Sequence, residues 1–324
     1  MKKFIILIVT IVGVLGLLWY FYRPNVGEGV VREYKDGYCL TGAFIANMPT
    51  RDDIAGFKKD YGKKPYLVLV FVDWQKYPDS GMLNAISDEG CCPVITWEPW
   101  QAVSKEAIGY DKLLQGGYDE YIMTFAKHIR SFNQDVFIRF AHEMNGNWYP
   151  WSGSKIGVDK YKAIYKHVKD IFDKEDVKNV KWVFSINWED APNIEANGFL
   201  NYYPGDMYVD YVGIDGYNWG KTRSWSRWIS FKELFEDTYK YATKELKKPV
   251  LITEFSSTST GGDKAGWIRN AMHNIKNWKN VKGFMLFNVN KEVDWSFPIN
   301  DISGKELREQ LKAPYFKDGF KYDE

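Results

Sequence analysis

The sequence predicts an α/β fold: a (β/α)8 TIM barrel in a single domain, preceded by an N-terminal transmembrane helix. Three observations predict it. Eight short apolar runs recur along the chain, at 39–46, 66–74, 93–97, 136–142, 181–187, 208–215, 249–254 and 282–288. They are near-continuously apolar rather than alternating, as strands buried on both faces must be. Between them lie amphipathic stretches with apolar residues at helical spacing. The chain has 324 residues, and a barrel of this kind needs about 250.

The N-terminal element comes first. Lys2 and Lys3 precede an uncharged apolar run over 4–22, which as a helix spans roughly 28 Å, the thickness of a bilayer core. It ends in Trp19-Tyr20-Phe21-Tyr22-Arg23-Pro24, an interfacial aromatic belt rather than a small-x-small cleavage site. The expected organisation is an anchor over 1–23, a tether over 24–36 and the barrel domain over 37–324. The lysines stay cytoplasmic, so the domain lies outside the cell membrane. A cleaved signal peptide is the competing reading.

Helical stretches then separate the strands. That over 118–132 follows Gly116-Gly117 and carries Tyr121, Ile122, Phe125 and Ile129. That over 160–172 carries Tyr161, Ile164, Tyr165, Val168 and Ile171. The stretches 231–246 and 264–278 have the same pattern. No Gly-x-Gly-x-x-Gly follows the first strand and no Walker loop occurs, which argues against a nucleotide-binding doubly wound sheet. Cys39, Cys91 and Cys92 lack metal-ligand spacing. In an oxidising compartment Cys39 could bridge to one of the other two.

Composition narrows the function. Lys and Arg number 43 and Asp and Glu 42, interspersed, so there is no basic stripe for nucleic acid. Aromatic residues make up 17%, with 14 Trp and 22 Tyr. Their flat apolar faces with polar edges suit the CH face and hydroxyl rim of a sugar, although an aromatic-rich core meets the same count.

Active sites of barrels sit at the C-terminal strand ends. The third run ends in Trp97-Glu98-Pro99-Trp100 and the fourth in His142-Glu143-Met144-Asn145-Gly146-Asn147-Trp148-Tyr149-Pro150-Trp151. The fifth ends in Asn187-Trp188-Glu189, the sixth in Asp215-Gly216-Tyr217-Asn218-Trp219 and the seventh in Thr253-Glu254-Phe255. Asp294-Trp295 follows the eighth. Two carboxylates on separate strands are what glycosidic cleavage requires, one to protonate the leaving oxygen and one to attack or to activate water. Strict alternation puts Glu143 on the same side of its strand as Arg139 and Ala141, and Glu254 on that of Ile252. Both then face the barrel axis at its top. Glu143 and Glu254 are the candidate catalytic pair; Arg139 is expected to hold a carboxylate from below. Glu98, beside two tryptophans, is a substrate-contact candidate. Trp97, Trp100 and Trp151 are candidates for outer sugar sites, with Trp188 and Asn187 as further contacts. Asp215 reads equally as a barrel hydrogen-bonder or a ligand, and Trp219 equally as a platform or as packing. The segment around Glu143 is not a zinc helix, because the second His is missing.

The run from Arg139 to Trp151, with Tyr202-Tyr203-Pro204-Gly205-Asp206, Ile252-Thr253-Glu254-Phe255 and Pro314-Tyr315-Phe316, resembles glycoside hydrolase family 26 over nearly the whole domain. The resemblance implies a retaining β-glycanase with Glu143 as acid/base and Glu254 as nucleophile. It also implies that Tyr217 hydrogen-bonds the nucleophile, that Trp148 and Trp295 line the sugar sites, and that His142 supports the acid/base region or a sugar hydroxyl. No metal or organic cofactor is implied. The ending Trp148-Tyr149-Pro150-Trp151 departs from the Trp-Trp ending of the family's mannanases. The expected activity is therefore endo-hydrolysis of a β-1,4-containing glucan, cellulose-like or mixed-linkage. Endo-β-1,4-mannanase is the runner-up, a transglycosylase would share the same residues, and a catalytically inactive polysaccharide-binding protein is the alternative of another class. Expected partners are the polysaccharide, membrane lipid through residues 4–22, and other polysaccharide machinery of the cell envelope.

Overall fold

The computed structural model describes residues 37–319. The expected anchor and tether lie outside the described residues, among which no helix is long and apolar enough to cross a membrane. Strands β1 (Gly42–Phe44), β2 (Leu67–Asp73), β3 (Cys92–Glu98), β4 (Val136–Phe140), β5 (Val180–Asn187), β6 (Tyr211–Asn218), β7 (Val250–Ser257) and β8 (Val281–Phe287) pair in parallel in that order. β8 pairs with both β7 and β1, which closes the sheet into a barrel.

Helices α1 (Arg51–Tyr61), α2 (Ser80–Asp88), α3 (Asp119–Phe132), α4 (Val158–Lys174), α5 (Phe231–Tyr241), α6 (Lys264–Asn277) and α7 (Ile302–Leu311) follow every strand but β5. The β5–β6 connection runs instead through short 3-10 turns between Glu195 and Tyr208. Local sequence explains two helix starts. Thr50 with Asp53 and Ser230 with Glu233 form reciprocal capping boxes, which satisfy backbone N–H groups that have no partner within the helix.

The run over 39–46 is broken at Thr41, whose Oγ1 donates to the carbonyls of Lys64 and Lys317. The preceding Cys39–Leu40 pairs with β8 and with Phe316–Lys317. The expected sixth strand begins late, at Tyr211, because Tyr208 closes a 3-10 turn. Cys39, Cys91 and Cys92 are free and buried, so the bridge that the sequence left possible is not formed. Burial drives the Cys39 thiol far above its ordinary range and pushes Cys91 up to about 12.

The main core lies between barrel and helices, and it claims part of the aromatic content. Trp97 is fully buried. It stacks on Phe125 of α3 at 4.0 Å and on Trp74 at 5.2 Å, and its Nε1 donates to Tyr121 Oη. Trp151 is also buried, stacked on Tyr149 at 4.2 Å, with Nε1 donating to the His142 carbonyl. Neither has a free face, so the expectation that they form outer sugar platforms fails: strand position put them near the mouth, but helix α3 and the loop after β4 cover them. Trp97→Ala removes a stacked indole from a close-packed site and is expected to cost about 3–5 kcal/mol of stability. Urea unfolding measures this; a loss under 1 kcal/mol would contradict the packing described here.

Candidate active site

A layer of polar side chains crosses the upper barrel. Arg139 on β4 is completely buried. Its Nη1 donates to Glu254 Oε1 (2.8 Å) and Thr96 Oγ1 (2.9 Å), its Nη2 to Asp215 Oδ2 (2.5 Å), and its Nε to Ser185 Oγ (3.3 Å). Asp215 also accepts from Thr253 Oγ1 and Ser185 Oγ. Five strands, β3 to β7, are thus tied to one guanidinium. The space exists because Gly213 has no side chain: a Cβ there would lie 2.6 Å from Ser185 Oγ and 2.7 Å from Thr253 Oγ1. Burial pushes Asp215 up to about 7. Arg139 pulls the other way and the charge on Glu254 adds to the rise. Of its two readings, the structure gives Asp215 that of a barrel hydrogen-bonder, beneath Glu254.

Glu254 does not arrive there by strand alternation. The pairing of β7 with β6 shifts register between Ile252 and Glu254. Consecutive side chains then turn inward, Thr253 onto Asp215 and Glu254 onto Arg139, while Ile252 joins the outer core. Ile252 and Glu254 therefore do not share a side, contrary to the alternation expected. Tyr217 Oη donates to Glu254 Oε2 at 2.5 Å, so both oxygens of this carboxylate have donors.

Glu143 also departs from alternation. β4 stops at Phe140, and Ala141 (φ 48°) and Glu143 (φ 52°) take left-handed backbone, a conformation uncommon outside glycine. A turn, not a continuing strand, aims Glu143; its N–H still donates to the Ser185 carbonyl of β5. Trp148 Nε1 donates to Glu143 Oε2 at 2.7 Å. A Cβ on Gly146 would sit 2.5 Å from the Trp148 ring, so glycine there lets the indole fold back onto the carboxyl. Burial raises Glu143 well above the ordinary carboxylate range, the charges of Asp215 and Glu254 add to this, and Trp148 and Arg139 oppose it. His142 lies buried with Nε2 3.0 Å from Tyr149 Oη. Burial and the nearby Arg139 and Lys291 charges keep it neutral.

The rim is aromatic. Trp295 is nearly covered, its ring 4.9 Å from Tyr217 and 4.8 Å from Trp219. Its backbone carbonyl accepts from Ser256. Lys264 of α6 donates to the carbonyls on either side, Asp294 and Ser296, and burial lowers its amine to about 8. Glu98 ends β3 buried, with Trp100 Nε1 donating to Oε2 at 3.1 Å. Burial pushes it up to about 7. Trp100 and Trp188 are half-buried and Trp148 is exposed. Asn187 spends its side-chain amide on the Glu189 carbonyl, and its N–H on Asn145. Sequence reasoning passed over Tyr149, Asn145, Lys264 and the hydroxyls of Thr96, Ser185 and Thr253. Tyr149 and Asn145 stand inside the aromatic run after β4; nothing local marks Lys264. Among the described residues no group of three or more His, Cys, Asp or Glu is placed to hold a metal.

A closed parallel barrel with a carboxyl group delivered to its mouth by each of β4 and β7, among exposed and half-buried tryptophans, is the architecture of a glycoside hydrolase. The chain belongs to glycosyl hydrolase family 26, whose family model matches residues 33–238. It is 33% identical to Endoglucanase H of Acetivibrio thermocellus over 96% of this chain and 34% of that protein. The chain thus spans about a third of that relative's length. A mannan endo-1,4-beta-mannosidase of Bacillus subtilis is 31% identical over 26% of this chain and 24% of its own length. The solved structure of a GH26 β-mannanase from Bacteroides ovatus has the same fold, with a TM-score of 0.67 at 15% identity over 88% of this chain and 92% of that one. GH26A from a Muricauda species matches with a TM-score of 0.64 at 20% identity over 92% and 99%.

The raised Glu98 has a stability signature. An unfolded Glu releases its proton near about 4.3, whereas folded Glu98 keeps it up to about 7. The folded state binds more protons in that window, so this contribution is full below it and is lost as pH rises through it. The stability advantage of wild type over Glu98→Gln is expected to shrink between about pH 5 and about pH 7.5, read by urea unfolding. An advantage that grows with pH would show a carboxylate stabilised in its ionised form.

Proposed function

We propose that this chain is a retaining endo-β-glycanase that cleaves a β-1,4-containing glucan by double displacement. The observation that carries the reading is the contrast between the two carboxyls. Glu254 takes donors on both oxygens, from the Arg139 guanidinium and the Tyr217 hydroxyl, which suits a nucleophile whose attacking oxygen must be held in place. Glu143 is buried, pushed toward its protonated form and pinned by one indole N–H, which suits a proton donor. A carboxyl buried beside like charge suits the acid, and one held by donors on both oxygens suits the nucleophile.

In the first step a Glu254 oxygen attacks the anomeric carbon. The bond to the leaving oxygen breaks, that oxygen takes the Glu143 proton, and a glycosyl ester forms on Glu254. Formation of the ester removes the negative charge from Glu254, so the Glu143 carboxyl, left ionised, no longer faces it and can act as a base. It takes a proton from water, whose oxygen attacks the anomeric carbon, releasing Glu254 and restoring the acid. Arg139 and Tyr217 orient Glu254 throughout, and Trp148 is the proposed sugar contact; Trp295, expected to be another, is buried between Tyr217 and Trp219 and backs the site instead.

The glucan choice is supported by 33% identity to an endoglucanase along nearly the whole chain and by the Trp148-Tyr149-Pro150-Trp151 ending. Mannan is the second reading, favoured by relatives described as mannan endo-1,4-beta-mannosidases. On the sequence alone, residues 4–22 are proposed to anchor the enzyme with its barrel outside the membrane. Incubation with β-glucans, mannans and xylans, followed by reducing-end and product-size analysis, is expected to give oligosaccharides and the highest rate on the β-1,4-containing glucan. A clear preference for mannan would overturn the glucan choice alone.

The carboxyl roles predict two different mutant phenotypes. Glu254→Ala cannot form the ester and should fail on all substrates. Glu143→Ala should form it from an activated aryl glycoside but turn over slowly, and added azide should rescue it, giving a β-glycosyl azide. Rescue of Glu254→Ala should give the α-azide, by attack on the face that the carboxylate vacated. Exchanged azide configurations would mean exchanged roles, and an α-anomer as the first wild-type product in a proton NMR time course would exclude retention.

A further inference from the structure

We propose that the loop 219–230, which follows β6, carries an outer subsite for the polysaccharide, with Trp225 as its stacking platform; this rests on the reading of the chain as a glycanase. Trp225 is 70% exposed and Trp148 44%, the two exposed tryptophans among the described residues. Trp148 is accounted for at Glu143. Trp225 connects to the other carboxylate through an unbroken series of rings. Tyr217 bonds Glu254 and lies 4.9 Å from Trp295, Trp295 lies 4.8 Å from Trp219, and Trp219 lies 5.6 Å from Trp225. The exposed indole thus continues the wall of the catalytic mouth outward.

The loop is built to hold this indole in place. Asn218 Oδ1 accepts from the N–H groups of Gly220 and Ile229, closing the base of the loop. Gly220 has φ 51°, and a Cβ there would lie 2.1 Å from the Thr260 carbonyl. Lys221 N–H donates to that carbonyl. Ser226 Oγ donates to the Gly220 carbonyl and accepts from the Arg223 N–H. The Arg223 guanidinium covers Trp219 at 5.3 Å and donates to the Glu292 carbonyl of the loop after β8. Trp219 is thereby packed beneath Arg223, and Trp225 is the platform that remains open. Holding a large apolar face in water is unfavourable, whereas a bound pyranose would cover it with its own CH face. Exposed Lys221, Arg223 and Ser224 flank the indole and supply donors for sugar hydroxyls. Trp225 is the one exposed large apolar side chain in this loop, a surface suited to a sugar ring and too small for a stable protein interface.

The test measures kcat/KM of the full chain on a length series of oligosaccharides from the polysaccharide it cleaves fastest. The ratio of kcat/KM on the longest to that on the shortest is expected to fall about 10-fold in Trp225→Ala, from the scale of aromatic stacking on planar rings. Trp225→Tyr, which keeps a flat face, is expected to retain most of the ratio. An unchanged ratio in Trp225→Ala with wild type active overturns the subsite and leaves the glycanase reading standing. The same unchanged ratio with a loss of self-association in sedimentation would assign the indole to a second copy of the chain, and also overturns it. Wild type inactive on every glycan would instead bring down the glycanase reading, and the subsite with it.

Discussion

One buried positive charge organises the barrel's upper half. Arg139 has no solvent exposure, and an unpaired guanidinium there would be prohibitively costly to desolvate. It is tolerated because Asp215 and Glu254 neutralise it while Thr96 and Ser185 each accept a further N–H. This requirement reaches into several strands at once. Gly213 must lack a side chain so that the hydroxyls of Ser185 and Thr253 can meet. Asp215 must be held from two sides. Glu254 has one oxygen fixed from below by the same guanidinium, so the barrel rather than its own rotamer freedom sets where its carboxyl sits.

Around that charge, two distortions of regular structure aim the chemistry. The register shift in β7 turns Thr253 and Glu254 inward together. The left-handed residues at 141 and 143 bend the chain after β4. Conformations of this kind cost of order 1–3 kcal/mol each. Backbone hydrogen bonds offset part of that: Ala141 N–H donates to Trp97 and Glu143 N–H to Ser185, so the neighbouring strands still pair with the bent segment. The outcome is a pair of carboxyls in opposed surroundings, one gripped by donors and one buried against like charge.

The loops after β6 and β8 then form one wall. Lys264 reaches from α6 to the carbonyls beside Trp295, and Arg223 joins the same loop at Glu292. Trp295 is thereby wedged against Tyr217, whose hydroxyl holds Glu254.

Much of this was legible in the residues. The eight apolar runs and the intervening helical periodicity encode the barrel, because burial on both faces is a property that adjacent side chains express locally. Glu143, Glu254 and Arg139 were identifiable because strand ends can be located from such runs, and Tyr217 through the family resemblance. What the runs do not carry is the non-local part. Whether a tryptophan near the mouth is a platform or core depends on what another segment lays over it: α3 covers Trp97, while Trp225 stays 70% exposed among the described residues. The register shift brings Glu254 to a guanidinium on a distant strand, and the left-handed turn at Glu143 is paired to the Ser185 carbonyl of another strand. The sequence by itself determined the barrel, its open end and the two carboxyls there. Only the tertiary structure decided how those carboxyls are aimed and which aromatics face solvent, since both follow from contacts between segments far apart in the chain.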